Sequence, residues 1–138
     1  KDTKIELEVR KGLHALGLRY RLGGAGLPGR PDIVLSKHRT VVLVHGCFWH
    51  KHDCELFRMP RTRVDFWQKK LENNAVRDKR TIQELVSLGW HVEIIWECQL
   101  RGHTAHDRAI TIENLARRII SNAELTRTSN RPRHMHGT

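Results

Sequence analysis

The run TVVLVHG at residues 40–46 is apolar from Val41 through Val44 and rich in β-branched side chains, with no alternation of apolar and polar positions. A strand of that kind is buried on both faces, so it belongs in the centre of a sheet with other elements covering each side. The shorter run DIVL (32–35) precedes it across the polar SKHR, which predicts a hairpin of two paired strands. LRYRL (18–22) alternates as a strand does, and GGAGLPGRP (23–31) is a turn-forming loop.

Helices are expected on either side of these strands. From Asp2 to Leu16 the residues Ile5, Val9, Leu13 and Leu16 form one helical stripe that Gly17 can end. Thr62 with Asp65 reads as a capping box for a long helix reaching Leu88, with Gly89 as its stop and Ile82, Leu85 and Leu88 as its buried face. WHVEIIW (90–96) is a further strand, and Ile110, Leu115, Ile119 and Ile120 suggest a last helix. The fold class expected is α/β, a central mixed sheet flanked by helices in one domain over 1–121, followed by a flexible basic tail over 122–138.

Lys and Arg outnumber Asp and Glu by 25 to 15 in a chain of 138 residues, so the surface is strongly positive and favours a polyanionic partner. Three cysteines, an odd number set among histidines, do not make a disulfide framework and point to a reducing, cytoplasmic compartment. No run approaches the roughly 20 apolar residues of a membrane span.

Directly after the central strand comes VHGCFWHKHDC (44–54). Cys47, His52 and Cys54 lie close together, and Cys98 follows the strand that ends at Trp96. Three thiolates and an imidazole suit Zn²⁺ in a closed, structural site. His45 and His50 are then left as a hydrolytic pair, one taking a proton from water and the other stabilising an oxyanion. Zinc could instead recruit either of these histidines. Asp32 enters one strand of the hairpin as His45 leaves the other, so the two ends meet in space. Asp32, a backbone carbonyl near Val44 and substrate phosphate would together satisfy Mg²⁺. Alone, Asp32 would pass for a turn residue. Glu6 on the first helix is either an exposed carboxylate or a group that holds a metal-bound water or orients a histidine. Phe48 and Trp49, with Phe66 and Trp67 nearby, are candidates to enter and unstack a base step, or else a small satellite core.

LPGRPD, HGCFWHKHDC, RTRVDFW, RDKR and LGWHVEIIWECQL, in that order over about residues 2–102, resemble the very short patch repair (Vsr) DNA mismatch endonucleases. The resemblance implies a fold akin to type II restriction endonucleases, structural zinc, catalytic Mg²⁺, and nicking of the thymine strand of T:G mismatches left by deamination of 5-methylcytosine. It makes Asp32 the metal carboxylate and the Val44 carbonyl its companion ligand. It makes His50 the general base oriented by Asp78, with His45 assisting at the phosphate and Glu6 supporting His45 and metal-bound water. Zinc falls to Cys47, His52, Cys54 and Cys98, and Phe48, Trp49 and Trp67 enter the DNA. Val44 stands where the family pattern has a hydroxyl residue. The family also uses an N-terminal arm on DNA, and this chain is expected to begin after it.

The expected function is therefore a Mg²⁺-dependent nickase on double-stranded DNA carrying a T:G mismatch. A monomer is expected, in the cytoplasm of a bacterium and on the nucleoid when bound, with mismatch-repair proteins as further partners and no membrane association. The rivals are a non-catalytic, zinc-stapled mismatch-binding protein and, more remotely, a nuclease cutting both strands.

Overall fold

The computed structural model describes residues 4–24 and 26–129, with residues 123–129 described as backbone only. In chain order the elements are helix α1 (Lys4–Ala15), strands β1 (Arg21–Leu22), β2 (Ile33–Leu35) and β3 (Thr40–His45), helix α2 (Val64–Ser87), strand β4 (His91–Trp96) and helix α3 (Ala105–Ser129). The sheet runs β1-β2-β3-β4. β2 pairs with β1 and β3 antiparallel, while β3 and β4 are parallel from Thr40↔His91 to His45↔Trp96. Parallel neighbours need a long crossover, and α2 supplies it. The apolar run is thus an inner strand of a mixed α/β sheet.

Period-two alternation assigns its two faces. Ile33, Leu35, Val42 and Ile95 join Val9 and Leu13 of α1 and Ile112, Leu115 and Ile119 of α3 in the larger core cluster. Val34 and Val41, on the opposite face, pack with Leu85 of α2 and with Trp90. Burying each such side chain contributes roughly 1.5–3 kcal/mol, so both faces of the sheet are committed. By the same alternation His45 projects on the Val41 face, toward α2.

Helices α1 and α3 meet at Gly12, where an added Cβ would lie 2.7 Å from Ile112 Cγ2. Ile112 is β-branched and held in one rotamer within its helix, so it cannot swing away. Gly12→Ala is therefore expected to destabilise the fold by about 1–2 kcal/mol, overpacking outweighing the gain in helix propensity. Denaturant unfolding would measure it. In an Ile112→Leu background, which lacks that carbon, the same change is expected to be neutral or stabilising.

Several sequence expectations need correction. LRYRL pairs only at Arg21–Leu22, because Leu18 turns into the core cluster instead of joining the sheet. The Thr62–Asp65 capping box does not form: α2 begins at Val64 behind Arg63, which is left-handed (φ 52) and makes no side-chain cap. Leu88 is 54% exposed, and the buried residues of α2 are Leu71 and Leu85, because the chain already turns at Leu88 toward Gly89 (φ 93). Leu16 is exposed beyond the end of α1, and Ile110 and Ile120 are exposed on α3, whose inner stripe is Ile112, Leu115, Ala116 and Ile119. The basic tail expected from residue 122 is helical as far as Ser129, since NAELTRTS holds no Gly or Pro to stop α3. Residues 130–138 lie outside the described residues.

Candidate active site and metal centre

The carboxyl ends of the parallel pair β3 and β4 are where an open α/β sheet offers a crevice, and the candidate residues gather there. A cleft of about 500 Å³ is lined by Glu6, Asp32, Val44, His45, His50 and Asp78, among others. The hairpin brings Asp32 to β3 as its antiparallel register requires: the Val44 N–H donates to Asp32 Oδ2 at 2.8 Å. Glu6 is 7% exposed and faces this cleft, so the exposed-carboxylate alternative for it is ruled out.

His45 and His50 stack face to face, ring centroids 3.7 Å apart and planes within 4°. His50 Nδ1 is hydrogen-bonded to Asp78 Oδ2. A carboxylate accepts only, so Nδ1 carries the proton and Nε2 is left as the basic nitrogen. Burial, and then the neighbouring His50, lower the pKa of His45 to about 4, with Asp78 pulling the other way. His45 is thus neutral at pH 7 and would meet a phosphate as an N–H donor rather than as a cation. Among the described residues its Nδ1 is buried with no hydrogen-bond partner, an unsatisfied polar atom at the wall of the cleft.

Helix α2 supports this cleft along one stripe: Trp67, Leu71, Asn74, Asp78, Thr81 and Leu85 recur at intervals of four and three. Leu71 and Leu85 are buried, Asn74 Nδ2 donates to the Trp49 carbonyl at 3.2 Å, and Thr81 touches Gly29 of the loop before Asp32. Residue-by-residue reading missed Asn74 and Thr81. The spacing was the available signal, but polar residues at core intervals look like a solvated face.

The second constellation lies just beyond. Donor atoms of Cys47, His52, Cys54 and Cys98 all fall within 4.8 Å of one another. His52 Nδ1 is 3.6 Å from Cys47 Sγ and 3.5 Å from Cys98 Sγ. Ligand atoms about 2.3 Å from a tetrahedral ion are about 3.8 Å apart, so the four residues fit one metal ion with no position left open. Burial pushes the Cys47 thiol up to about 12 and raises Cys98 as well, so without a cation both stay protonated. A bound dication would reverse that by coordinating the thiolates. His52 also stacks on Trp96 (3.8 Å, 6°), a contact the sequence did not suggest, and Glu97 Oε1 accepts the Cys47 N–H at 3.2 Å. His45, His50 and Asp78 form the other group close enough to hold an ion among the described residues.

Phe48 packs edge-on against Trp49 and Trp67 (5.2 and 5.5 Å), and Trp67 likewise meets Phe66 (5.2 Å). Trp49 is 50% exposed and Phe66 44%, so the cluster is anchored by its inner rings and open at its outer ones. The sheet end thus places a carboxylate–histidine cleft, a closed metal set and an exposed aromatic cluster side by side.

Similarities to known proteins bear on this arrangement. A family model described as DNA mismatch endonuclease Vsr matches residues 1–56. The DNA mismatch endonuclease Vsr of Escherichia coli (strain K12) is 48% identical over 112 residues, 80% of this chain and 72% of that protein. The type II nicking enzyme V.XorIIP of Xanthomonas oryzae pv. oryzae is 46% identical over 72% of this chain and 74% of its own length. V.NmeAIP of Neisseria meningitidis, also a type II nicking enzyme, is 43% identical over 86% and 81% respectively. Among the described residues, no helix is long and apolar enough to cross a membrane.

Proposed function

Because the chain belongs to the Vsr family of DNA mismatch endonucleases, and is thus a DNA endonuclease of mismatch repair, we propose that it nicks the thymine strand of T:G mismatches arising from deaminated 5-methylcytosine, in a Mg²⁺-dependent reaction. The observation that carries this reading is the meeting of Asp32, His45, His50 and Asp78 in one cleft beside an exposed aromatic cluster. One active site and one cut strand are consistent with a monomer.

Asp32 and the Val44 carbonyl would hold Mg²⁺, which when bound supplies Lewis-acid stabilisation to the phosphate and the leaving oxygen. A hard cation suits these oxygen donors, and Val44 in place of a hydroxyl residue leaves a backbone ligand intact. His50 Nε2 accepts a proton from the attacking water while Asp78 holds the ring and stabilises the imidazolium. Neutral His45 donates to a phosphate oxygen as negative charge develops on it. Glu6 orients His45 and water from the α1 side. In-line displacement of the 3′-oxygen leaves a 3′-hydroxyl and a 5′-phosphate. Phe48, Trp49 and Trp67 open the base stack, which costs least at a mispaired step. Cys47, His52, Cys54 and Cys98 would hold Zn²⁺, the borderline-soft ion that thiolate and imidazole donors prefer, and the closed set gives it a structural part.

The test is a panel of end-labelled duplexes that differ only at one base pair, incubated with Mg²⁺ and run on native and denaturing gels. The expected result is one nick, in the thymine strand of the T:G duplex, with little cutting of the paired duplex. Tight mismatch binding without turnover in any divalent metal would favour a binding protein, and double-strand breaks would favour a restriction-type nuclease.

A further inference from the structure

Two exposed arginines, Arg30 and Arg77, stand at the mouth of the catalytic cleft. Arg101, Arg108 and Arg118 each pair with a glutamate, whereas neither Arg30 nor Arg77 has a carboxylate partner among the described residues. Two uncompensated guanidinium groups beside a hydrolytic centre call for an anion, and their planar forks match phosphate oxygens.

Both are positioned by the fold. Arg30 adopts the left-handed region (φ 47), which a non-glycine residue occupies only when its surroundings demand it. Those surroundings are tight: Gly29 (φ 70) presses on α2 so closely that an added Cβ would lie 2.3 Å from Thr81 Cγ2. Arg77 is one turn before Thr81 on the same helix and immediately precedes Asp78, the partner of His50. Arg77 also lines a separate hollow of about 260 Å³ with Phe66 and Asn73, toward the aromatic cluster. It therefore stands between the aromatic rings and the hydrolytic groups, while Arg30 lies next to Asp32.

We propose that Arg30 and Arg77 are positioning residues that grip the two phosphates flanking the scissile one on the nicked strand. Arg77 takes the phosphate on the mismatch side and Arg30 the one beyond. This rests on the nuclease reading above. The scissile phosphate itself is served by Asp32 and the histidines, so the arginines fix its register rather than take part in the chemistry.

The test combines protein and DNA changes. Arg77→Ala, Arg77→Lys and Arg30→Gly proteins are compared with the parent on a T:G duplex and on duplexes in which one flanking phosphate is a neutral methylphosphonate. Glycine keeps the left-handed backbone at position 30 while removing the side chain. Thermal unfolding should be unchanged, since both side chains are exposed. Arg77→Ala, and the mismatch-side methylphosphonate on the parent, should each lower kcat/KM by roughly tenfold to a hundredfold. Together they should cost little more than either alone. Arg77→Ala should also reduce the salt slope of binding by about one, and Arg77→Lys should restore that slope with only part of the activity. Arg30→Gly should behave alike with the other methylphosphonate. Losses that multiply, or an unchanged salt slope, would overturn the proposal while leaving the nuclease reading intact. A parent that nicks no mismatched duplex would overturn both.

Discussion

Asp32→Asn is expected to nick a T:G duplex about a thousandfold more slowly than the parent while binding it at least as tightly. Asparagine keeps the shape of the side chain and an oxygen to accept the Val44 N–H, the 2.8 Å bond that ties the end of the hairpin together. What it loses is the negative charge that a hard cation needs from its protein ligand. Lewis-acid stabilisation of a phosphoryl transition state contributes several kcal/mol, and 1.36 kcal/mol is a factor of ten in rate, which sets the expected loss. Binding should survive because the substituted group would otherwise repel the phosphate. Single-turnover nicking across a Mg²⁺ titration, with fluorescence anisotropy in the absence of metal, separates the two effects. Nicking by the Asp32→Asn protein within tenfold of the parent would remove Asp32 from the metal role.

Asp32 was legible in the sequence for a geometric reason. A hairpin places the entry of one strand beside the exit of its partner, so Asp32 had to lie near Val44 and His45 once the two apolar runs were paired. The inner strand was legible because an unbroken apolar run has few other places to go, and Cys98 because it follows the strand parallel to the one that leads into the other ligands. Helix α2 was harder. Its inward stripe is apolar at both ends and polar in the middle, where Asn74, Asp78 and Thr81 satisfy backbone, histidine and loop rather than filling a core. Composition marks such residues as solvated, so Asp78 entered only through the family resemblance. Arg63 shows the same limit: Thr62 and Asp65 carry a capping pattern, yet the helix starts from a left-handed Arg63, a conformation that no local preference of arginine predicts.

Cys98→Ser tests the part of the site that holds the rest in place. The chain from Gly46 to the start of α2 contributes no residue beyond Cys47 to the buried hydrophobic set, so packing alone does little to order it. Among the described residues its anchors to the rest of the fold are the His52–Trp96 stack, the His50–Asp78 bond, the Lys51–Glu72 ion pair, the packing of Phe48 and Trp49 on Trp67, the Cys47 N–H on Glu97, the Trp49 carbonyl on Asn74, and the Cys98 N–H on Cys47 Sγ at 3.3 Å. At about 1 kcal/mol for each net hydrogen bond, these fall well short of the ordering entropy of some fifteen residues at about 1–2 kcal/mol apiece. A closed thiolate–imidazole metal site, with apparent binding energies of about 10–16 kcal/mol in small zinc domains, is of the size that could make up the difference. Serine is a poor ligand for such an ion, so the substituted protein should retain well under one tightly bound zinc per chain after dialysis, lose nicking by at least about a hundredfold, and be cut by protease between residues 46 and 60. The sheet should persist, because neither core cluster includes a residue of this loop. Stripping the parent with a chelator should reproduce each effect. A Cys98→Ser protein that keeps its metal and nicks like the parent would move the tight site to His45, His50 and Asp78, the other group with convergent ligand atoms. His50→Ala would then be the change that releases the metal, and the histidine pair would be lost as a proton-transfer device.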